Sequence, residues 1–93
     1  MKGKPRTFFY VYILRDINNK LYIGSTNNLQ RRMFEHKSGK VFSTKSLQEP
    51  GLIYYEAYNS ESSSRIREKR LKYFGKAYQE LRKRINGGME GAG

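Results

Sequence analysis

The sequence predicts a small α+β domain, a three-stranded antiparallel sheet with flanking helices in the order β-β-α-β-α-α. Three observations lead there. Two apolar, tyrosine-rich runs, residues 8–14 and 21–25, are split by a polar turn so short that the strands must run antiparallel. A third run, LIYYEAY at 52–58, has high strand propensity. Ser, Thr and Asn, the residues that cap helix N-termini, open the amphipathic stretches that follow the second and third runs. The 93 residues make one domain (1–93), with its core expected over 8–85.

Residues 8–14, FFYVYIL, are apolar or aromatic at every position, as in a strand covered on both faces and therefore central in its sheet. Asp16 to Lys20 is an asparagine-rich turn. The hairpin register decides whether Tyr12 and Tyr22 meet. Cross-strand partners whose numbers sum to an even value, such as Leu14 opposite Tyr22, place both on one face, and an odd sum separates them. Gly24 leaves room for a backbone or a phosphate to approach. Thr26 and Asn27 are good N-cap types for a helix that starts at 27 or 28 and stops at Gly39, with Leu29, Met33 and His36 on its buried stripe. A polar loop over 40–50 carries Lys40 and Lys45 and closes at Pro50-Gly51. A second helix is expected over 61–73, capped from the serines at 60–64, and a third from Lys76 to Ile85 beyond a break at Gly75. Arg67, Leu71, Phe74, Tyr78, Leu81 and Ile85 keep helical spacing through the glycine, so one unbroken helix is the alternative. Residues 1–7 are expected to be loosely held and 86–93 to form a flexible tail.

The net charge is +11, with a pI near 10.1. Such an excess opposes compaction and suits a polyanionic partner, nucleic acid first. No cysteine and a single histidine exclude a disulfide framework and a His/Cys metal site. A metal would have to be held by few, mostly oxygen ligands, which suits one Mg2+ or Mn2+. The chain has no apolar run of about 18 residues to span a membrane and no signal-type leader, so a cytoplasmic protein without a membrane partner is expected.

Several side chains carry two readings. Glu68 sits in a basic run that includes Lys69 and Lys72, either as the i, i+4 salt partner of Lys72 or as a metal ligand facing the sheet. Arg32 and His36 lie one helical turn apart. They are a solvated charge and a half-buried ring, or a phosphate-binding guanidinium and a proton shuttle. Arg31 would point elsewhere, toward a nucleic-acid backbone. Tyr12 and Tyr22 are core aromatics or a functional pair.

Tyr10-Val11-Tyr12, then Tyr22-Ile23-Gly24, then Arg32, His36 and Glu68, resembles the GIY-YIG nuclease superfamily, with YIGSTNNLQRRMFEH at 22–36 the most specific part. Thr44, Pro50, Leu52 to Glu56, and Arg67-Glu68-Lys69 with Lys72 are similar to small stand-alone bacterial members, themselves similar to the nuclease domain of the nucleotide-excision-repair incision subunit. The resemblance covers about residues 8–85. It implies a divalent-metal-dependent endonuclease that hydrolyses DNA. In it Glu68 holds one Mg2+ or Mn2+ ion, Arg32 stabilises the phosphate, Tyr12 or Tyr22 acts on the attacking water, and His36 fits the position one turn on. Arg31, Lys45, Lys69 and Lys72 are expected to bind the nucleic acid. Tyr10 replaces the first motif's glycine, and Ser25 stands where some members carry a lysine that activates the tyrosine. Lone domains of this size bury little DNA, so selectivity is expected to come from branched, flapped or damaged duplex, or from a partner protein. Two alternatives remain: a basic nucleic-acid-binding module that cuts little or not at all, and a basic interaction protein whose tyrosines are only core.

Overall fold

The structure, a computed structural model, describes residues 7–41 and 44–92, with side chains as far as Ile85. Residues 1–6, most of the segment expected to be loosely held, and Gly93 lie outside the described residues. Strands β1 (Phe9–Arg15), β2 (Leu21–Thr26) and β3 (Gly51–Tyr58) alternate with helices α1 (Leu29–Lys37), α2 (Glu61–Tyr73) and α3 (Gly75–Ala92) in the expected order. The sheet is antiparallel with β1 in the middle, in the order β2-β1-β3. Central placement accounts for the unbroken apolar run, since Val11, Tyr12, Ile13 and Leu14 are all buried.

Leu14 lies opposite Tyr22 and Tyr12 opposite Gly24, so the register takes the even sum that puts the tyrosines on one face. The turn is built by Asp16. Its Oδ1 accepts from the amides of Asn18 and Lys20, and its Oδ2 accepts from the amide of Gln48, 3.1 Å away in the loop before β3. Asn19 takes the left-handed conformation (φ 64°) that closes the turn.

Alternation along β1 divides the core. Val11 and Ile13 face α2 and α3, where Leu71 and Leu81 complete the buried cluster. On this face Glu56 is half-buried among hydrogen bonds. Arg67 donates to it from Nε (2.9 Å) and Nη2 (3.0 Å), Tyr54 donates at 2.6 Å and Tyr58 at 2.5 Å. Tyr12, Leu14, Tyr22 and Gly24 share the opposite face, below α1.

The carboxylates give a pH prediction. Burial would raise the pKa of Asp16 and of Glu56. The backbone amides around Asp16, and Arg67 with the two phenols around Glu56, outweigh it and hold both below the usual carboxylate values. The same contacts push the Tyr58 hydroxyl up to about 12, burial being the largest cause. Groups depressed in the folded state stabilise it fully above their unfolded pKa, about 4, and that stability is lost as pH falls through the folded values. A melting temperature that declines below about pH 4, with a shallower decline in Asp16→Asn, is the expected result in thermal scans.

Three expectations are corrected. The α1 N-cap is Asn28, whose side chain accepts from the Arg31 amide, rather than Thr26 or Asn27. The break between α2 and α3 falls on Phe74, which is extended (φ −118°, ψ 99°), so there is no unbroken helix and Gly75 opens α3. The break also turns Phe74 outward, 60% exposed, although its spacing placed it on the buried stripe. The segment expected to be a tail from Asn86 continues α3 to Ala92.

Candidate active site

The site grows from β1. Tyr12 is fully enclosed, and its hydroxyl lies 2.8 Å from Nε2 of His36, the buried residue of α1. The other ring nitrogen, Nδ1, lies 2.8 Å from Oγ1 of Thr44, itself buried in the loop after α1. Tyr22 completes the cluster, its ring centroid 5.2 Å from that of His36 and 6.2 Å from that of Tyr12. Tyr22 is half-buried, so it is the phenol that opens to solvent.

Gly24 makes this packing possible. A Cβ there would lie 2.6 Å from the Tyr12 hydroxyl oxygen and 2.8 Å from a Tyr22 ring carbon. The space expected for a phosphate is thus filled by the two tyrosines. Gly24→Ala has no flexible neighbour to displace and is expected to lose about 1–3 kcal/mol, a fall of about 4 °C or more in melting temperature. An unchanged melting curve would show that the rings are not packed against this residue.

Arg32, on the same face of α1 as His36, brings its guanidinium to the Tyr12 phenol. Nη1 donates to Glu35 at 2.9 Å, while Nε is buried without an acceptor among the described residues. Burial pushes the Tyr12 pKa well up, and Tyr22 pushes it the same way through its charge and hydrogen bonding, while Arg32 pulls it back. Tyr12 is therefore a neutral phenol at rest. Burial and the Arg32 charge lower the pKa of His36, against a smaller raising effect of Glu35, so the imidazole is neutral near pH 7.

Glu68 comes from α2 and meets β2 from the other face of the sheet. Ser25, the cross-strand partner of Val11, donates to its Oε1 at 2.7 Å, and Lys72 lies 2.9 Å from its Oε2. Glu68 therefore faces the sheet and also pairs with Lys72 in the i, i+4 order. Contact between the two faces runs around β2, an edge strand. Tyr22, from one face, and Leu71 and Lys72, from the other, line one shallow cavity. The Glu68 carboxylate beside it holds the Lys72 ammonium above its ordinary pKa, against a lowering by burial. Lys45 is exposed and shares a cavity with His36 and Thr44. Arg31 and Lys69 are exposed, Arg31 lying 3.7 Å from Glu35.

The structure thus gathers Tyr12, Tyr22, Arg32 and His36 on one face and sets Glu68 at the rim of the same strand. Thr44 and Ser25 complete the cluster without having been placed in it from sequence. Thr44 sits in a loop without periodicity, and Ser25 registered only as a departure from the expected lysine.

Among the described residues there is no group of three or more acidic or histidine side chains that would hold a metal. The donors present are the Glu68 carboxylate and the Ser25 hydroxyl. Such an oxygen set fits a hard cation that keeps several waters, as Mg2+ does, once Lys72 gives up its contact with Oε2.

This sheet, with its paired tyrosines under a helix that carries arginine and histidine, is that of a catalytic domain. A family model described as the GIY-YIG catalytic domain matches residues 8–72, and the chain belongs to that family. Within it the chain is similar to UPF0213 proteins. One from Staphylococcus haemolyticus is 37% identical over 68 residues, covering 72% of this chain and 83% of the relative. Another, from Syntrophus aciditrophicus, is 39% identical over 70 residues, covering 73% and 80%. The solution NMR structure of a UPF0213 protein from Bacillus halodurans matches with a TM-score of 0.54 at 28% identity, covering 87% of each chain. Among the described residues, no helix is long and apolar enough to cross a membrane.

Proposed function

We propose that this GIY-YIG domain is a divalent-metal-dependent endonuclease that hydrolyses phosphodiester bonds in DNA. The observation that carries the reading is the buried Nε of Arg32, without an acceptor among the described residues, beside the Tyr12–His36 pair. A buried guanidinium donor without an acceptor is unfavourable by about 1–3 kcal/mol, and a phosphate oxygen reached by a small rotation of the side chain would relieve it.

In this reading Arg32 binds the scissile phosphate and stabilises the charge that builds in the transition state. Tyr22, the half-buried phenol, orients the attacking water. Its proton load passes to Tyr12 and from there to neutral His36, so no tyrosine needs a depressed pKa. Glu68, with Ser25 holding its orientation, is the ligand for one Mg2+ or Mn2+. When bound, that ion supplies Lewis-acid stabilisation of the phosphate and leaving group. Arg31, Lys45, Lys69 and Lys72 contact the DNA backbone. With so small a footprint, affinity falls steeply with salt, and selectivity comes from DNA shape or from a partner.

The test incubates labelled linear, branched and flapped duplexes with the protein in Mg2+, Mn2+ or EDTA. Nicking that needs the metal and prefers one of the structured duplexes is expected. Salt-sensitive binding without nicking, in either metal, would leave a nucleic-acid-binding module on this scaffold and refute the enzyme.

A further inference from the structure

We infer that Thr44 is a positioning residue: it holds the proton of neutral His36 on Nδ1 and so leaves Nε2 bare to receive the proton of Tyr12. The catalytic meaning of this inference rests on the endonuclease reading above; its geometry rests on hydrogen bonds alone.

A neutral imidazole carries one N–H, and which nitrogen bears it is set by the partners on each side. On the Nδ1 side the partner is the Thr44 hydroxyl, with one proton to give. It lies 2.8 Å from Nδ1 and 3.2 Å from the carbonyl oxygen of Val41. A carbonyl only accepts, so the hydroxyl donates to Val41 and its lone pair is left for an N–H on Nδ1. Nε2 is then unprotonated, and the Tyr12 O–H donates to it across 2.8 Å. Every polar hydrogen in the chain has an acceptor, and all donate in one direction, from Tyr12 through His36 and Thr44 to a backbone carbonyl.

The opposite tautomer breaks that order. With the proton on Nε2, Thr44 must turn to Nδ1 and abandon Val41. Tyr12 must then accept, and its own proton must turn toward Arg32, which has no acceptor to offer, or toward the Tyr22 oxygen, which reverses the direction of donation. Tyr12, His36 and Thr44 are 0%, 4% and 3% exposed, so their protein partners rather than bulk solvent set the order. Thr44 is itself fixed by the turn around it. Its amide donates to the Val41 carbonyl at 3.1 Å, and its carbonyl accepts from the Leu47 amide at 3.1 Å.

The proton count closes. As the water oxygen bonds to phosphorus, its proton goes to the Tyr22 oxygen, the Tyr22 proton goes to Tyr12, and the Tyr12 proton goes to Nε2. The 3′ oxygen leaves with the electron pair of the broken P–O bond and takes a proton from solvent. Both tyrosines end as neutral phenols and His36 as an imidazolium that donates from both nitrogens. It later returns its proton to solvent.

His36 is the chain's only histidine, so its imidazole 15N shifts are read without assignment. They are recorded on the free protein for the wild type, Thr44→Ser and Thr44→Val. The expected result is the Nδ1–H form in the wild type and in Thr44→Ser, and transfer of proton population to Nε2 in Thr44→Val. Cleavage is expected to fall about 10-fold or more in Thr44→Val through kcat, with KM unchanged, and to recover in Thr44→Ser. An Nε2–H signal in the wild type overturns the inference, whatever becomes of the variants. Thr44→Val that keeps the Nδ1–H form overturns it as well. A wild type that cleaves no DNA refutes the endonuclease reading, while the shifts still decide the role of Thr44.

Discussion

Glu68→Gln is expected to bring metal-dependent cleavage below about a thousandth of the wild-type rate while leaving the protein folded. The substitution removes one charge and almost no volume. Ser25 donates equally well to an amide oxygen, so the link between α2 and β2 survives. The ion pair with Lys72 is lost, but that pair is partly exposed, and such pairs contribute about 1 kcal/mol or less. The metal loses its anionic ligand at a place that, among the described residues, belongs to no group of three or more acidic or histidine side chains. Titration of Mn2+ followed by water relaxation should show binding in the wild type and none in the variant, beside superimposable circular dichroism. Equal cleavage by both proteins would remove Glu68 from the chemistry and, with it, the proposed metal site.

Arg32→Ala is expected to slow cleavage by about 100- to 1000-fold, the usual effect of removing one donor aimed at developing charge. Its effect on stability has the opposite character. The guanidinium has one bond, to Glu35, which keeps Arg31 nearby, and one buried donor without an acceptor among the described residues. Losing an unsatisfied donor offsets the loss of the ion pair, so the melting temperature should move by no more than a few degrees. Arg32→Lys should recover little, since an ammonium cannot present the planar fork that two phosphate oxygens match. A melting temperature that drops by about 10 °C or more would instead mark Arg32 as a packing residue.

Much of the fold is legible in the sequence because it follows from local pattern. The unbroken apolar run over 8–14 could be satisfied only in the middle of a sheet, and Ser60 is a ready N-cap for the helix that starts at residue 61. The relative facing of Tyr12 and Tyr22 is not legible, because it depends on one residue of turn length. Asp16 settles it by gathering three backbone amides from two loops, a long-range arrangement without a sequence period. Phe74 has the spacing of a core residue and is exposed, since its own backbone leaves the helix. The glycines after Ile85 suggest a tail by composition, yet the α3 backbone runs through them. At the candidate site, resemblance brings together residues distant in number. Thr44 belongs to the resemblance, but its role is not legible there, because that role depends on a carbonyl, an atom that every residue has and no motif records.

The outer position of β2 limits how the domain can assemble. Tyr22 and Lys72, the ion-pair partner of Glu68, meet only past the margin of the sheet, where they line one shallow cavity from above and from below. A fourth strand hydrogen-bonded to β2, whether from a fused segment or a second molecule, would stand between them like a wall. The free side of β3 carries no such burden, so growth of the sheet by strand addition is compatible with an intact site only there.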